Sequence, residues 1–287
     1  MLLAHLSDPH LTTGPLAGGP AAGLHAALGR LLGLPTRPDA AVITGDLTDH
    51  GDPDEYHQLT ELLTGIPLPV YLAAGNHDDR DALLDAFAET THLAGGDQAH
   101  YAVDLPGATL IVLDSLLPGQ GAGRLGTDQL AWLDTELSQR PEIPALIAVH
   151  HPPVPVGIPF LDGIRLLDAD ALADVVGAHP NVVRVLSGHV HRTITAPFGG
   201  TLITTAPSTY RQSALDMTTP GTMGYLDEPT SFLLHQLTDT TNGTCITHTV
   251  PVTGAAATQF TLRPAEQDKP PGTGRSTVVR RTCSPAG

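Results

Sequence analysis

The stretch VVRVLSGHVH (182–191) decides how the chain is read. A short Val/Leu-rich run stops at Ser187-Gly188 and gives way to His189 and His191, one residue apart. The run has the length and composition of a buried strand, and the glycine permits a sharp turn at its end. Packing supplies no reason for two imidazoles at that point, so each asks for a partner elsewhere in the chain. Strand alternation places His189 and His191 on one side and Val190 on the other.

The same pattern recurs at four other runs. LLAHL (2–6) leads into Asp8-Pro9-His10, and AAVIT (40–44) into Gly45-Asp46 with Asp49 close behind. PVYLAA (69–74) leads into Gly75-Asn76-His77-Asp78, and ALIAV (145–149) into His150-His151. In open α/β sheets functional groups collect at the carboxyl ends of the strands. If these strands are neighbours in a sheet, their ends converge on one crevice. The donors are carboxylate, carboxamide and imidazole, with no thiolate. That set suits Mn, Fe, Zn or similar first-row ions rather than a closed structural zinc site. It is too large for one ion, and two ions sharing a carboxylate would use it all.

Between the runs lie helical patterns at 21–34, 80–88, 127–139 and 168–179, and another beginning at Asp52-Pro53, with Asp as cap and Pro in the first turn. Three hairpins are expected, around Pro106-Gly107, Gly199-Gly200 and Asn242-Gly243. Strands alternating with helices, with hairpins added, predict an α/β core of two sheet layers with helices outside. Segment 206–229 has no period and is expected to overhang the site, with Tyr210 and Arg211 in reach of a ligand. The Pro-, Thr- and Gly-rich chain beyond about residue 265 reads as a flexible tail (266–287), leaving 1–265 as a single catalytic domain.

Composition narrows the partners. Of 287 residues, Asp+Glu number 30 and Lys+Arg 14, a formal net charge of −16 that opposes nucleic acid and anionic membranes. No apolar run approaches the ~18–20 residues of a membrane span. The start MLLAHLSDPH lacks an export signal, and the only cysteines are Cys245 and Cys283. A cytoplasmic protein with small substrates is expected.

Taken together and in order, D-x-H, G-D-x-x-D, G-N-H-D, H-H and G-H-x-H resemble the calcineurin-like metallophosphoesterase superfamily, over roughly residues 1 to 250. GNHDDR (75–80) and AVHHPP (148–153) are most similar to the bacterial class III cyclic nucleotide phosphodiesterases. The resemblance implies a four-layer αββα sandwich, two mixed β-sheets flanked by helices. It implies two transition-metal ions, Fe or Mn foremost, with Zn or Co accommodated. Asp8, His10 and His191 would hold one ion, Asn76, His150 and His189 the other, and Asp46 would bridge. His77 would face the phosphate as a catalytic group, and Asn76 and His151 would also meet substrate. For His151, a cap on the turn before Pro152-Pro153 is the other reading. Asp49 would orient a ligand histidine or a water, or else merely precede the next helix. The remaining histidines, such as His5 and His235, read as structural or surface groups.

The implied reaction is hydrolysis of a small anionic phosphodiester, cyclic nucleotides (3′,5′ or 2′,3′) foremost, by hydroxide made available at the metal pair. A broader phosphoesterase acting on glycerophosphodiesters, or a nuclease, is the alternative, and a homodimer is expected. Two cations against two carboxylates, Asp8 and Asp46, keep the site positive within an acidic protein. Protein phosphatases of the superfamily carry Arg after the second Asp of the G-D motif, where this chain has His50. The acidic surface, with Lys269 the only lysine, opposes a nuclease. A non-catalytic module would have lost ligands, and none is missing.

Overall fold

The computed structural model describes residues 1–93, 98–239 and 244–253. Met1–Thr253 forms one compact unit. The turn at Asn242-Gly243, the tail at 266–287 and Cys283 lie outside the described residues.

The chain runs through β1 (Leu2–Leu6), α1 (Gly18–Leu32), β2 (Ala40–Thr44), α2 (Pro53–Leu63), β3 (Val70–Ala73) and α3 (Arg80–Ala86). It continues with β4 (Tyr101–Leu105), β5 (Ala108–Val112), α4 (Gly126–Gln139), β6 (Ala145–Ala148), α5 (Pro159–Asp162), α6 (Ala169–Ala178) and β7 (Val182–Ser187). Then follow β8 (Ile194–Phe198), β9 (Thr201–Thr205), β10 (Gln212–Ser213), β11 (Tyr225–Leu226), β12 (Ser231–Asp239) and β13 (Thr244–Pro251). One sheet has the order β13-β12-β1-β2-β3, another β4-β5-β6-β7-β9-β8, and β10 pairs with β11 alone.

Period-2 alternation shows how the layers stack. On β5 and β6, Leu110, Val112, Leu146 and Ala148 join the core built on β1–β3. Their neighbours Ile111, Ala145 and Ile147 pack instead with Leu133, Leu137, Leu172 and Val176 of α4 and α6. The second sheet therefore buries one face on the first sheet and the other on helices. The first sheet shares its core with Leu24, Leu28 and Leu31 of α1, Leu59 of α2 and Leu83 of α3. In α1 those residues recur at helical spacing and form one apolar stripe. The result is the expected four-layer αββα sandwich with two mixed sheets.

Several local expectations change. The five site-bearing strands do not share one sheet: β1, β2 and β3 are parallel neighbours in the first, β6 and β7 in the second. Their carboxyl ends meet across the sandwich, because the two sheets pack face to face. Asp52 occupies the N-cap of α2 but makes no side-chain cap bond. Asp79 caps α3 instead, accepting from the Ala82 N–H at 2.9 Å. The hairpins at Gly107 and Gly199-Gly200 form as expected. No helix among the described residues is long and apolar enough to cross a membrane.

Candidate metal centre at the strand ends

Just past the strand ends the backbone is strained. Asp8 (φ 51°), His10 (47°), Asp46 (46°), His189 (68°) and His191 (49°) are all left-handed, and no other non-glycine among the described residues has positive φ. Each such residue costs on the order of 1–3 kcal/mol and persists only where its surroundings over-determine it. At Gly188 a Cβ would sit 2.0 Å from Ser7 Oγ and 2.6 Å from the Thr44 carbonyl oxygen. The two sheets thus meet backbone to side chain at this point, which only glycine allows.

The His-Val-His geometry differs from strand alternation. β7 ends at Ser187, and a tight turn with Val190 N–H donating to the Gly188 carbonyl (2.7 Å) separates the histidines. Left-handed residues on either side turn Val190 into a cluster with Ile158 and Leu161.

Asp8, His10, Asp46 and His191 bring their ligand atoms within 4.8 Å of one another, all buried. The Nε2 atoms of His10 and His191 are 3.0 Å apart. Asp8 Oδ1 lies 3.4 Å from His191 Nε2, and Asp46 Oδ2 lies 3.5 Å from His10 Nε2. On the other side of Asp46, Oδ1 is 3.3 Å from His150 Nε2, and Asn76 Oδ1 is 3.2 Å from the same nitrogen. The His189 ring lies 5.1 Å from the His150 ring, and its buried Nε2 has no hydrogen-bond partner among the described residues.

The tautomers follow from the partners of the opposite nitrogens. His10 Nδ1 meets Asp49 Oδ1 at 3.0 Å, His191 Nδ1 the Arg211 carbonyl at 2.9 Å, and His150 Nδ1 the Thr44 carbonyl at 2.7 Å. An ionised carboxylate and a carbonyl only accept, so each Nδ1 carries a proton, which leaves the Nε2 of a neutral ring with its lone pair facing inward. Two lone pairs at 3.0 Å, with carboxylates beside them, repel one another. A cation converts that arrangement into a coordination sphere, and the orphaned His189 Nε2 fits the same reading.

The protonation states of the protein residues alone point the same way. Burial drives the His189 pKa down to about 3 and lowers that of His10. Burial also resists charge on His150, but the Asp46 carboxylate outweighs it and raises His150 to about 9. Burial opposes the Asp46 charge too, yet His150 and the other imidazoles hold that carboxyl well below its ordinary value. Asp46 thus recruits a proton where a metal would otherwise neutralise it.

His77 stands at the rim. Its Nδ1 donates to the Asp49 carbonyl (2.9 Å), and its backbone N–H donates to Asp46 Oδ1 (3.0 Å). A cavity of about 290 Å³ opens over the cluster, lined by His10, Asp46, Asn76, His77, His189 and His191 on its polar side. Phe160, Ile164, Met223 and Tyr225 form the apolar side, so segment 206–229 does overhang the site. Arg211 lies over the Tyr225 ring at 3.8 Å, while Tyr210 packs against Gly19.

His151 departs from the expected mouth position. It is fully buried, Nδ1 pairs with Ser115 Oγ at 2.8 Å, and Nε2 donates to the Gly121 carbonyl at 3.1 Å. With both nitrogens engaged it supports the His150 and His189 rings from behind.

Asp78 was given no role from the sequence. It is buried and accepts from the N–H groups of Gly75, Leu47 and Thr48, from Thr48 Oγ1 and from the Tyr56 hydroxyl, at 2.8–3.1 Å. These bonds tie the loop after β2 to the loop after β3. Burial, reinforced by Asp46, pushes its carboxyl up to about 6 despite those donors. Its signal was an acid three residues after Gly75, placed to bond back to that turn. His5 and His235 are a buried structural pair, 3.1 Å apart, continued to Thr44.

Residues 1–193 match the family model described as calcineurin-like phosphoesterase. The chain is 35% identical over 267 residues to a probable cyclic nucleotide phosphodiesterase of Rhodococcus erythropolis, spanning 89% of this chain and 85% of the relative. It is 33% identical over 243 residues to the glycerophosphodiester phosphodiesterase GpdQ of Enterobacter lignolyticus, spanning 82% and 87%. In fold it resembles a dimetal phosphatase from Danio rerio, with a TM-score of 0.65 and 17% identity over 88% of this chain and 96% of that one. Motif order, sandwich topology and the match over most of the chain agree: the chain belongs to the calcineurin-like phosphoesterase family.

Proposed function

We propose that the protein is a dinuclear-metal phosphodiesterase of small phosphodiesters, with cyclic nucleotides foremost. The observation that carries this reading is the pair of imidazole Nε2 atoms 3.0 Å apart, each with its Nδ1 proton committed outward. Asp8, His10 and His191 would hold one ion and Asn76, His150 and His189 the other, with Asp46 offering one oxygen to each. Such a pair, when bound, supplies Lewis acidity toward phosphate oxygens and a water of lowered pKa.

The chain's own groups do the rest. Asp49 orients His10 through Oδ1 and His77 through its carbonyl, fixing both rings with one residue. An imidazolium at His77 donates from Nε2 to the leaving oxygen as its bond to phosphorus breaks, and the Asp49 carboxylate, 3.7 Å from Nδ1, supports that charge. The apolar side of the cavity excludes water from one flank of the substrate and receives one ester substituent.

Relatives at similar identity are named as a probable cyclic nucleotide phosphodiesterase in one case and a glycerophosphodiester phosphodiesterase in the other, so the assay must separate the two substrates. Protein of measured metal content should hydrolyse bis(p-nitrophenyl) phosphate faster than p-nitrophenyl phosphate, and 3′,5′- or 2′,3′-cyclic nucleotides faster than glycerophosphoethanolamine. A preference for the monoester would overturn the diesterase reading, and a preference for the glycerol ester would move the substrate to the alternative.

A further inference from the structure

We propose that Tyr225 is a further substrate-contacting residue, its hydroxyl donating a hydrogen bond to an oxygen of the bound phosphodiester, and that Arg211 positions it. The inference rests on the phosphodiesterase reading above and adds a donor that the sequence motifs do not contain.

Aromatic rings form a row of successive contacts along the site. His77 meets His10 at 4.7 Å between centroids, His10 meets His191 at 4.9 Å, and His191 meets Tyr225 at 5.4 Å. All four line the same cavity. His77 and Tyr225 are the two ends of the row, and the inward-facing Nε2 atoms of His10 and His191 lie between them. A phosphate group over the middle of the row has His77 at one end and a phenol at the other.

Tyr225 is held there by its own hairpin. β10 and β11 pair with Ser213 opposite Tyr225, and Arg211 immediately precedes β10. The Arg211 guanidinium lies over the Tyr225 ring at 3.8 Å, a cation–π contact. The same residue's carbonyl accepts from His191 Nδ1 at 2.9 Å. Arg211 therefore couples the placement of Tyr225 to that of His191.

The Tyr225 hydroxyl makes no hydrogen bond to any described residue and is free to meet a ligand in the cavity. Tyr225 lines the cavity and is 40% exposed. A phenol carries one O–H donor at neutral pH. The group is accordingly a donor, and an anionic oxygen is the acceptor the cavity is built to receive.

Tyr225→Phe in the metal-loaded full chain removes one oxygen and keeps the ring. The variant should retain two metals and lose about 10- to 100-fold in kcat/KM on a cyclic nucleotide, the range for a hydrogen bond to a charged group. Inorganic phosphate, titrated calorimetrically, should bind correspondingly more weakly. Arg211→Gln should reproduce part of the loss, and the double variant should be no worse than Tyr225→Phe alone. Wild-type behaviour of Tyr225→Phe in both assays, or loss of metal from it, would overturn the contact. Full additivity in the double variant would overturn the positioning role of Arg211. If the wild-type protein hydrolyses no diester, the phosphodiesterase reading fails, while the phosphate titration still decides the Tyr225 contact.

Discussion

Asp46 stands where the two groups of ligands meet. Oδ1 accepts from the His77 N–H and lies 3.3 Å from His150, Oδ2 lies 3.5 Å from His10, and its own φ is 46°. A Cβ on Gly75 would stand 2.3 Å from Oδ1, so that flank is closed too. The bond from His77 to Asp46 runs through the backbone, which separates two roles of that residue. His77→Ala keeps the N–H and should keep the metals, while turnover falls about 100-fold or more through loss of the proton donor. Metal analysis beside kcat tests this, and unchanged turnover would remove His77 from the chemistry. The family resemblance implied a role for His77, and its place beside Asn76 after a strand was legible in the sequence. Tyr225 was not, because only the hairpin of β10 and β11 brings it against His191.

Among the elements, the turns after the strands do the positioning. Gly188 lets the β7 turn lie against Ser7 and Thr44, at the ends of β1 and β2, and this contact joins the two sheets at the site. Gly188→Ala should destabilise the protein by at least about 1–3 kcal/mol, as overpacking does, and should weaken metal binding. Urea unfolding with and without metal measures both, and a variant as stable as wild type would show that the sheets can part there freely. The five site-bearing strands were readable because each is a short β-branched or aliphatic run that leads into Gly, Asp or His, whereas β10 and β11 lie in the segment without a period. Which strands share a sheet was not readable, since β1–β3 and β6–β7 carry the same composition and only the alternating packing of Leu110 and Ile111 separates the layers. What directs Val190 and what surrounds His151 were not readable for a related reason. Left-handed turns, not strand pleat, direct the first, and Ser115 and Gly121, distant in sequence, bury the second.

Across the molecule, a net charge of −16 surrounds a centre whose histidines titrate in opposite directions. In the metal-free protein burial lowers His5 and His189 to about 3, from an ordinary 6.5. The unfolded chain then binds more protons between those values, and stability should fall as pH drops from 6.5 toward 3. His150 is raised to about 9, so the native state binds the extra proton above 6.5 and stability should fall again as pH rises from 6.5 to 9. Metal binding displaces that proton, so loading should abolish the alkaline decline and leave the acid one. Denaturant midpoints across pH, with and without metal, check both limbs; metal-free stability that climbs from pH 6.5 to 9 would contradict the His150–Asp46 pairing.

The central claim is a pair of ions shared by one carboxylate, and metal stoichiometry tests it most directly. Purified wild-type protein is predicted to hold two first-row transition-metal ions per chain, and Asp46→Asn, which keeps the side chain's shape and removes its charge, to lose occupancy at both sites together with diester hydrolysis. Full retention of two ions by that variant, or an active wild-type enzyme with a single ion per chain, would contradict the shared centre.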